Sequence, residues 1–319
     1  MSPTEPRAVR VKAGDDEAGR RLDNFLMGQL KGVPRAHVYR LIRSGQVRVN
    51  SRRVQASYRL NAGDEVRVPP VRQSDNDTNT PPPGRVRADW IEALILHEDP
   101  ELLVLNKPSG LAVHGGSGIS LGAIELLRAI RGPHSRLELV HRLDRDTSGC
   151  LLIAKRASAL RALHAQFRDG SVDKRYQALL IGSWSGGART VDAPLATDER
   201  RGGERHVRVD PAGKEAVTHF VPLEKFPGSV LVDVQLMTGR THQIRVHAAS
   251  IGYPVAGDER YGVVPDPIVA EQGLRRLFLH ARVLTFHSPA SGAPVSVEAP
   301  LAADLAKSLD RLRATSVVD

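Results

Sequence analysis

One cysteine, Cys150, stands alone in 319 residues. A disulfide within the chain is therefore excluded, and so is a cysteine-rich zinc site. Aromatic residues make up only 4%, too few for a platform that holds a single strand by serial stacking, so any base stacking rests on one or two rings. No run approaches the roughly 18 uninterrupted apolar residues of a membrane helix, and the opening MSPTEPRAVRVKAGDDEAGR lacks the apolar core of a signal peptide. The expectation is a cytoplasmic protein without a membrane partner.

Enzyme signatures are also missing. The segment Asn106-Lys107-Pro108-Ser109-Gly110 through His114-Gly115-Gly116 follows a strand but lacks the Gly-Lys-Ser/Thr ending of a phosphate loop. Around Ser117 the first glycine of a nucleophile elbow is present at Gly115, but Ile119 stands where the second belongs. His242 and His247 are five apart, off the spacing that puts two ligands on one helical face, and no acidic or cysteine ligand accompanies them, so no metal is expected.

What the chain has is ordinary globular composition, 41% hydrophobic and 25% charged, in a length that suits about two domains. Forty-five Lys and Arg against 36 Asp and Glu leave a net charge of +9, which favours a polyanionic partner. The charge is uneven: residues 1–70 carry 14 basic and 7 acidic side chains, which is +7 of the +9. The run RQSDNDTNTPPPG, from Arg72 to Gly84, has no apolar periodicity and reads as linker. The expected division is a domain over 1–70 (core 21–69), a linker over 71–88 and a second domain over 89–319.

In the first domain, Leu22, Phe25, Leu26 and Leu30 recur at helical spacing, and Val38, Leu41 and Ile42 follow the breaker Gly32-Val33-Pro34. Ser44-Gly45 can end the second helix before a strand at Val47–Asn50, and Asn61-Ala62-Gly63-Asp64 turns the chain into a strand at Val66–Val68. Arg35, Arg40, Arg43, Arg48, Arg52 and Arg53 crowd the helix-to-strand corner. They form either a bidentate grip on phosphates or a solvated basic face. In the second domain, Ile91–Leu96, Leu102–Leu105, Leu151–Ala154, Tyr176–Ile181 and Val230–Leu236 read as strands. Ile119–Ile130, Ala157–Phe167, Gln243–Ile251 and Leu301–Arg313 read as helices. The class is α+β with a large mixed, mainly antiparallel sheet and a small amino-terminal α/β domain.

The densest polar cluster, His141-Arg142-Leu143-Asp144-Arg145-Asp146-Thr147-Ser148-Gly149, precedes a strand. Flanking arginines would keep Asp144 ionised, the state needed by a nucleophile or a general base; an aspartate that only caps or pairs in a turn fits the same spacing. Thr238-Gly239-Arg240-Thr241-His242-Gln243-Ile244-Arg245 opens a helix, with Arg240 and Arg245 available to phosphate or carboxylate. Tyr176 opens a strand, where a core ring is the simplest role.

Two resemblances sharpen this reading. RLDNFL, RAHVYRLIRSGQVRVNSRRV and LNAGDEVRV, within Arg21–Pro69, resemble the RNA-binding module first known from ribosomal protein S-four. The segments LNKPSGLAVHGG, HRLDRDTSGCLLIAK, KRYQALL, TGRTHQIRVH and GYPVAGDERYG, in this order, resemble the pseudouridine synthases that modify large-subunit ribosomal RNA and some tRNAs.

The resemblance implies isomerisation of specific uridines in 23S ribosomal RNA on a flipped-out base, with no cofactor and no metal; a monomer is the expectation. It implies Asp144 as catalytic aspartate, Tyr176 as the ring stacking on the base and Arg245 as the salt-bridge partner of Asp144. RNA contacts would come from the six amino-terminal arginines with Arg142, Arg240 and His242. Two rival classes are a non-catalytic ribosome-assembly factor that binds RNA, and an RNA glycosidase. The first leaves the large domain without a task, and the second normally needs two carboxylates, for which Asp146 is the available partner.

Overall fold

The computed structural model describes residues 8–14, 17–30, 33, 35–70, 89–115, 121–132, 135–199, 205–263 and 266–316. The chain divides into two compact units, residues 1–86 and 87–319. The expected linker, 71–88, lies outside the described residues.

The first unit runs β1 (Val9–Lys12), α1 (Leu22–Gln29), α2 (Arg35–Arg43), β2 (Arg48–Val49) and β3 (Glu65–Val68). Its strands pair antiparallel in the order β1-β3-β2. The helical spacing of Leu22, Phe25 and Leu26 on α1 and of Val38, Leu41 and Ile42 on α2 places both sets in one core over Val49 and Val66. Asp23 is buried between the two helices, where it takes a two-pronged bond from Arg21 (3.1 and 2.7 Å) and another from the Tyr39 hydroxyl (2.9 Å). These bonds hold its carboxyl down at about 2.

The second unit continues with α3 (Asp89–Glu92), β4 (Ile95–Glu98), β5 (Leu102–Lys107), α4 (Ala123–Arg131), β6 (Glu138–Leu139), β7 (Ser148–Ala154), α5 (Ala157–Asp169) and β8 (Asp173–Ile181). Then follow β9 (Arg189–Asp192), β10 (Leu195–Glu199), β11 (Arg205–Val209), β12 (Val217–Phe226), β13 (Ser229–Leu236), α6 (Gln243–Ser250), α7 (Pro267–Gln272), β14 (Leu279–His287), β15 (Pro294–Glu298) and α8 (Ala303–Ser316). Ten strands form one sheet in the order β4-β5-β7-β14-β8-β13-β12-β9, with β15 on β14 and β6 on β7; β10 and β11 make a separate hairpin. Among the described pairings in this sheet only β7 with β14 is parallel. The expected α+β class with a mixed, mainly antiparallel sheet is the observed one.

Both faces of the sheet centre are covered, so its strands read as continuous apolar runs. On β5, Leu103 and Leu105 enter the core that α4 and α6 close, while Leu102 and Val104 face the core under α5. Two expectations need correction. The run Ile91–Leu96 is not one strand: Ile91 is buried from the short helix α3, and pairing begins at Ile95. The helix expected from Ile119 starts at Ala123, because Gly122 caps it in extended backbone and its N–H is taken by Glu125 (2.9 Å).

Candidate active site

The loop before β7 is gripped from the end of β5. Lys107, fully buried, donates from Nζ to the carbonyls of Pro108 (2.9 Å), Leu111 (2.8 Å) and Arg145 (2.9 Å). The Gly110 N–H also reaches the Arg145 carbonyl (2.9 Å), and the Ser109 hydroxyl reaches that of Asp146 (2.8 Å). Burial pushes Lys107 down to about 7, against the charges of Asp146 and Asp144, which pull it up. The grip fixes the backbone just after Asp144, whose side chain is 19% exposed.

Gly149 lets the loop enter β7. Its φ of +110° is open to glycine alone, and a Cβ there would collide with the Ala281 carbonyl of β14. Tyr176 on β8 is buried, and burial followed by the nearby Asp144 charge raises its phenol well above the ordinary range, so the ring stays neutral. Asp144, Tyr176, His242 and Arg245 line one cavity of about 310 Å³ with Leu236 and Leu279, at the small end for a bound organic group. Among the described residues no aromatic ring stacks on Tyr176.

The opposite wall comes from the turn before α6. Gln243 is buried with all its bonding used: Oε1 accepts from Thr238 Oγ1 (2.8 Å) and the Arg240 N–H (2.9 Å), and Nε2 donates to the Val217 carbonyl (3.0 Å) and Thr218 Oγ1 (2.9 Å). The side chain of His242 thereby faces inward, its Nε2 3.8 Å from Asp144 Oδ2. Arg240 remains exposed, bonded from Nε to the Glu215 carbonyl (3.0 Å).

Arg245 shares the cavity with Asp144, but the direct pair expected between them is not the bond it makes. Its guanidinium forks onto Asp258, Nε to Oδ2 at 2.7 Å and NH2 to Oδ1 at 2.6 Å. Asp258 is the better-prepared acceptor: it is buried and already oriented by the N–H groups of Arg260 (2.9 Å) and Tyr261 (3.0 Å). Burial opposes both charges, and their mutual bonds outweigh it, lowering Asp258 and raising Arg245. Arg245 therefore feels the Asp144 charge through space and gives its bonds to Asp258.

A second cavity of about 650 Å³ shares Arg142, Asp144, His242 and Arg245 with the first and adds Arg145, Arg260, Arg275 and Arg276. Arg142 is exposed between the two. Arg276 is held by Asp304 (2.6 and 3.0 Å) and by the Ser148 hydroxyl (3.2 Å). Asp146 lines the second cavity and not the first, and is tied to Arg145 at 3.3 Å.

The amino-terminal arginines belong to the first unit. Arg40 and Arg43 are exposed on α2, Arg48 on β2, and Arg52 and Arg53 in the turn after it. The side chain of Arg35, at the start of α2, lies outside the described residues. Arg48 spends donors on the carbonyls of Gly45 and Ser51 (3.3 and 3.4 Å), and Arg53 reaches that of Ser44 (3.5 Å).

Sequence reasoning did not assign Lys107, Asp258, Tyr261 or Gln243. Lys107 had a signal, a lysine at the end of the strand LLVLNK, after four apolar residues and Asn106. The bonds of Asp258 to Arg245, of Tyr261 to His242 and of Gln243 to Val217 and Thr218 form only through the fold. Among the described residues no group of three or more His, Cys, Asp or Glu side chains clusters as metal ligands would.

A carboxylate, a phenol and a fixed guanidinium thus stand around one small cavity, with further arginines beside it. Residues 101–250 fit the RNA pseudouridylate synthase family and residues 20–66 the S4 domain. The chain belongs to the pseudouridine synthase family. It is 50% identical over 315 residues to ribosomal large subunit pseudouridine synthase C of Vibrio vulnificus (strain CMCP6), covering 98% of this chain and 99% of that protein. Its identity to the protein of that name from Escherichia coli (strain K12) is 49% over 314 residues, 97% and 98% of the two chains. Among solved structures, human RNA pseudouridylate synthase domain containing 4 superposes with a TM-score of 0.60 at 29% identity, over 72% of this chain and 96% of that one.

Proposed function

We propose that the protein converts specific uridines of large-subunit ribosomal RNA to pseudouridine, as a cytoplasmic monomer that needs neither metal nor cofactor. The observation that carries this reading is the convergence of Asp144, Tyr176 and Arg245 on one small cavity in a chain aligned end to end with large-subunit synthases. The reaction breaks the bond between uracil N1 and the sugar C1′, turns the base and joins C5 to the same carbon, releasing the proton from C5. It involves no net redox change.

A base inside a stacked helix is out of reach, so the target nucleotide is extruded into the cavity, with unstacking that costs a few kcal/mol. The Tyr176 ring offsets part of that cost by stacking. Asp144 then attacks C1′ or takes the C2′ proton, both of which require the ionised carboxylate. The neighbouring phosphates meet Arg142 and the arginines of the second cavity, and the exposed arginines of the first unit grip the RNA elsewhere. An RNA glycosidase would place a second carboxylate across the base; Asp146 faces the other cavity instead.

The test is tritium release from C5-labelled uridine in unmodified large-subunit RNA, with the wild type beside Asp144→Asn. Release by the wild type alone, with pseudouridine in the digested product, is the expected result. An abasic site would mean a glycosidase, unchanged RNA a binding factor, and equal release by the variant would take the catalytic role from Asp144.

A further inference from the structure

We propose that the Tyr261 hydroxyl sets the tautomer of His242 so that its Nε2–H faces the Asp144 carboxylate, making His242 a positioning residue that orients Asp144 for the reaction. This role rests on the function proposed above and concerns two residues without an expected part in the chemistry: Tyr261 had no assigned role, and His242 was expected only to touch RNA.

Hydrogen-bond capacity decides the tautomer. Tyr261 Oη accepts the backbone N–H of Val207 on β11 (3.1 Å) and lies 2.9 Å from His242 Nδ1. A phenol has one proton to give, and His242 Nδ1 is the acceptor found for it among the described residues. With that proton donated, Nδ1 is the bare nitrogen and Nε2 carries the hydrogen. The opposite tautomer would leave the phenol proton without this acceptor and turn a lone pair toward the carboxylate.

Geometry and surroundings agree. The two side chains are largely enclosed, 15% exposed for His242 and 19% for Asp144, at 3.8 Å between Nε2 and Oδ2. That is beyond a hydrogen bond, and catalytic hydrogen bonds often tighten only when substrate binds. Burial favours the neutral imidazole most; the Asp144 charge, next in size, opposes it, Arg245 and Arg260 support it, and Asp258 opposes it, the balance lowering the ring's pKa. A neutral ring must choose one tautomer, so the Tyr261 bond has a choice to make.

The backbone carries a second sign. His242 sits at φ 53° and ψ 20°, in the left-handed region that a side chain adopts at a cost. Gln243 pins the turn there through Thr238 and Arg240, and this conformation is what turns the ring inward from the first residue of the helix cap. Tyr261 is fixed in turn by Asp258, which accepts its N–H, and by the Arg245 guanidinium 5.1 Å over its ring.

The full chain with 15N-labelled histidine decides the first half, with His242→Gln to assign the resonance among the 12 histidines. The wild type is expected to show neutral His242 protonated at Nε2, and Tyr261→Phe, which keeps the ring under Arg245, a mixture of tautomers. Kinetics decide the second half. Tyr261→Phe should lower kcat at unchanged KM by the fraction of His242 that changes tautomer, about twofold for an even mixture, and His242→Gln, which keeps an N–H donor, should outperform His242→Ala. An Nδ1–H tautomer in the wild type, wild-type kcat in Tyr261→Phe, or an effect confined to KM overturns the proposal. A wild type that forms no pseudouridine removes the role together with the proposed function, whereas those three results remove the role alone.

Discussion

Arg245 is bonded to Asp258, not to Asp144: a two-pronged bond of 2.7 and 2.6 Å, thirteen positions apart in sequence, joins α6 to the turn that carries Tyr261. The pair is buried, so removing one partner strands the other's charge. Asp258→Asn is expected to cost about 3–5 kcal/mol in a urea titration and to lower kcat, because Arg245 and Tyr261 lose their anchor together. Arg245→Lys keeps the charge but not the planar fork, and should also be slower than wild type.

Lys107 gives a pH signature with opposite signs in activity and stability. Near pH 7 its ammonium begins to lose the proton, and an amine cannot keep all three carbonyl bonds that grip the Asp144 loop. Activity should therefore decline on the alkaline side. Asp146→Asn removes the largest charge holding that proton, so the decline should move to lower pH. Stability runs the other way. The folded value lies below the 10.5 of the free side chain, so between about 7 and 10.5 the unfolded chain binds more protons and this residue's contribution to unfolding free energy rises with pH. A pH series of kcat beside one of urea midpoints checks both.

Gly149→Ala should be severe despite its small size. The substitution needs a backbone conformation that alanine avoids and drives a methyl group into the Ala281 carbonyl. A destabilisation of about 3 kcal/mol or more is expected, with activity falling further than stability because the displaced segment leads straight to Asp144. Urea midpoints and tritium release on the same preparation separate the two effects.

Salt dependence tests the first unit. Replacing Arg40, Arg43 and Arg52 by Gln should flatten the slope of log affinity against log salt by about 0.7–0.9 for each phosphate no longer neutralised, while the rate from bound RNA stays unchanged. A slope equal to wild type would make the basic corner a solvated face only.

Much of the frame was readable from residue order. β5, β7, β8 and β13 are apolar runs because both faces of the sheet centre are buried, and α5 and α6 declare themselves by spacing. β12 was not readable: it contains Pro222, Glu224 and Lys225, a register shift, and an exposed Leu223, so its alternation is broken. Spacing alone left Asp144 between turn residue and catalyst, and family resemblance supplied its role. The acceptor Asp258 and the hydroxyl of Tyr261 escaped notice because their work depends on distance across a fold. His242 lies 19 positions from Tyr261, an interval that no helical or strand period marks.

The parallel pairing of β7 with β14 bears on how the enzyme is made. Ser148 and His280, 132 positions apart, meet at 2.9 Å in the middle of the sheet, and β14 is the strand that fills the gap between β7 and β8. A nascent chain therefore carries its Asp144 loop beside an open slot while more than a hundred further residues are synthesised. Such long-range closure is slow, so activity should switch on only once β14 has emerged and inserted, leaving partial translation products catalytically silent and exposing two sheet edges that chaperones would have to shield.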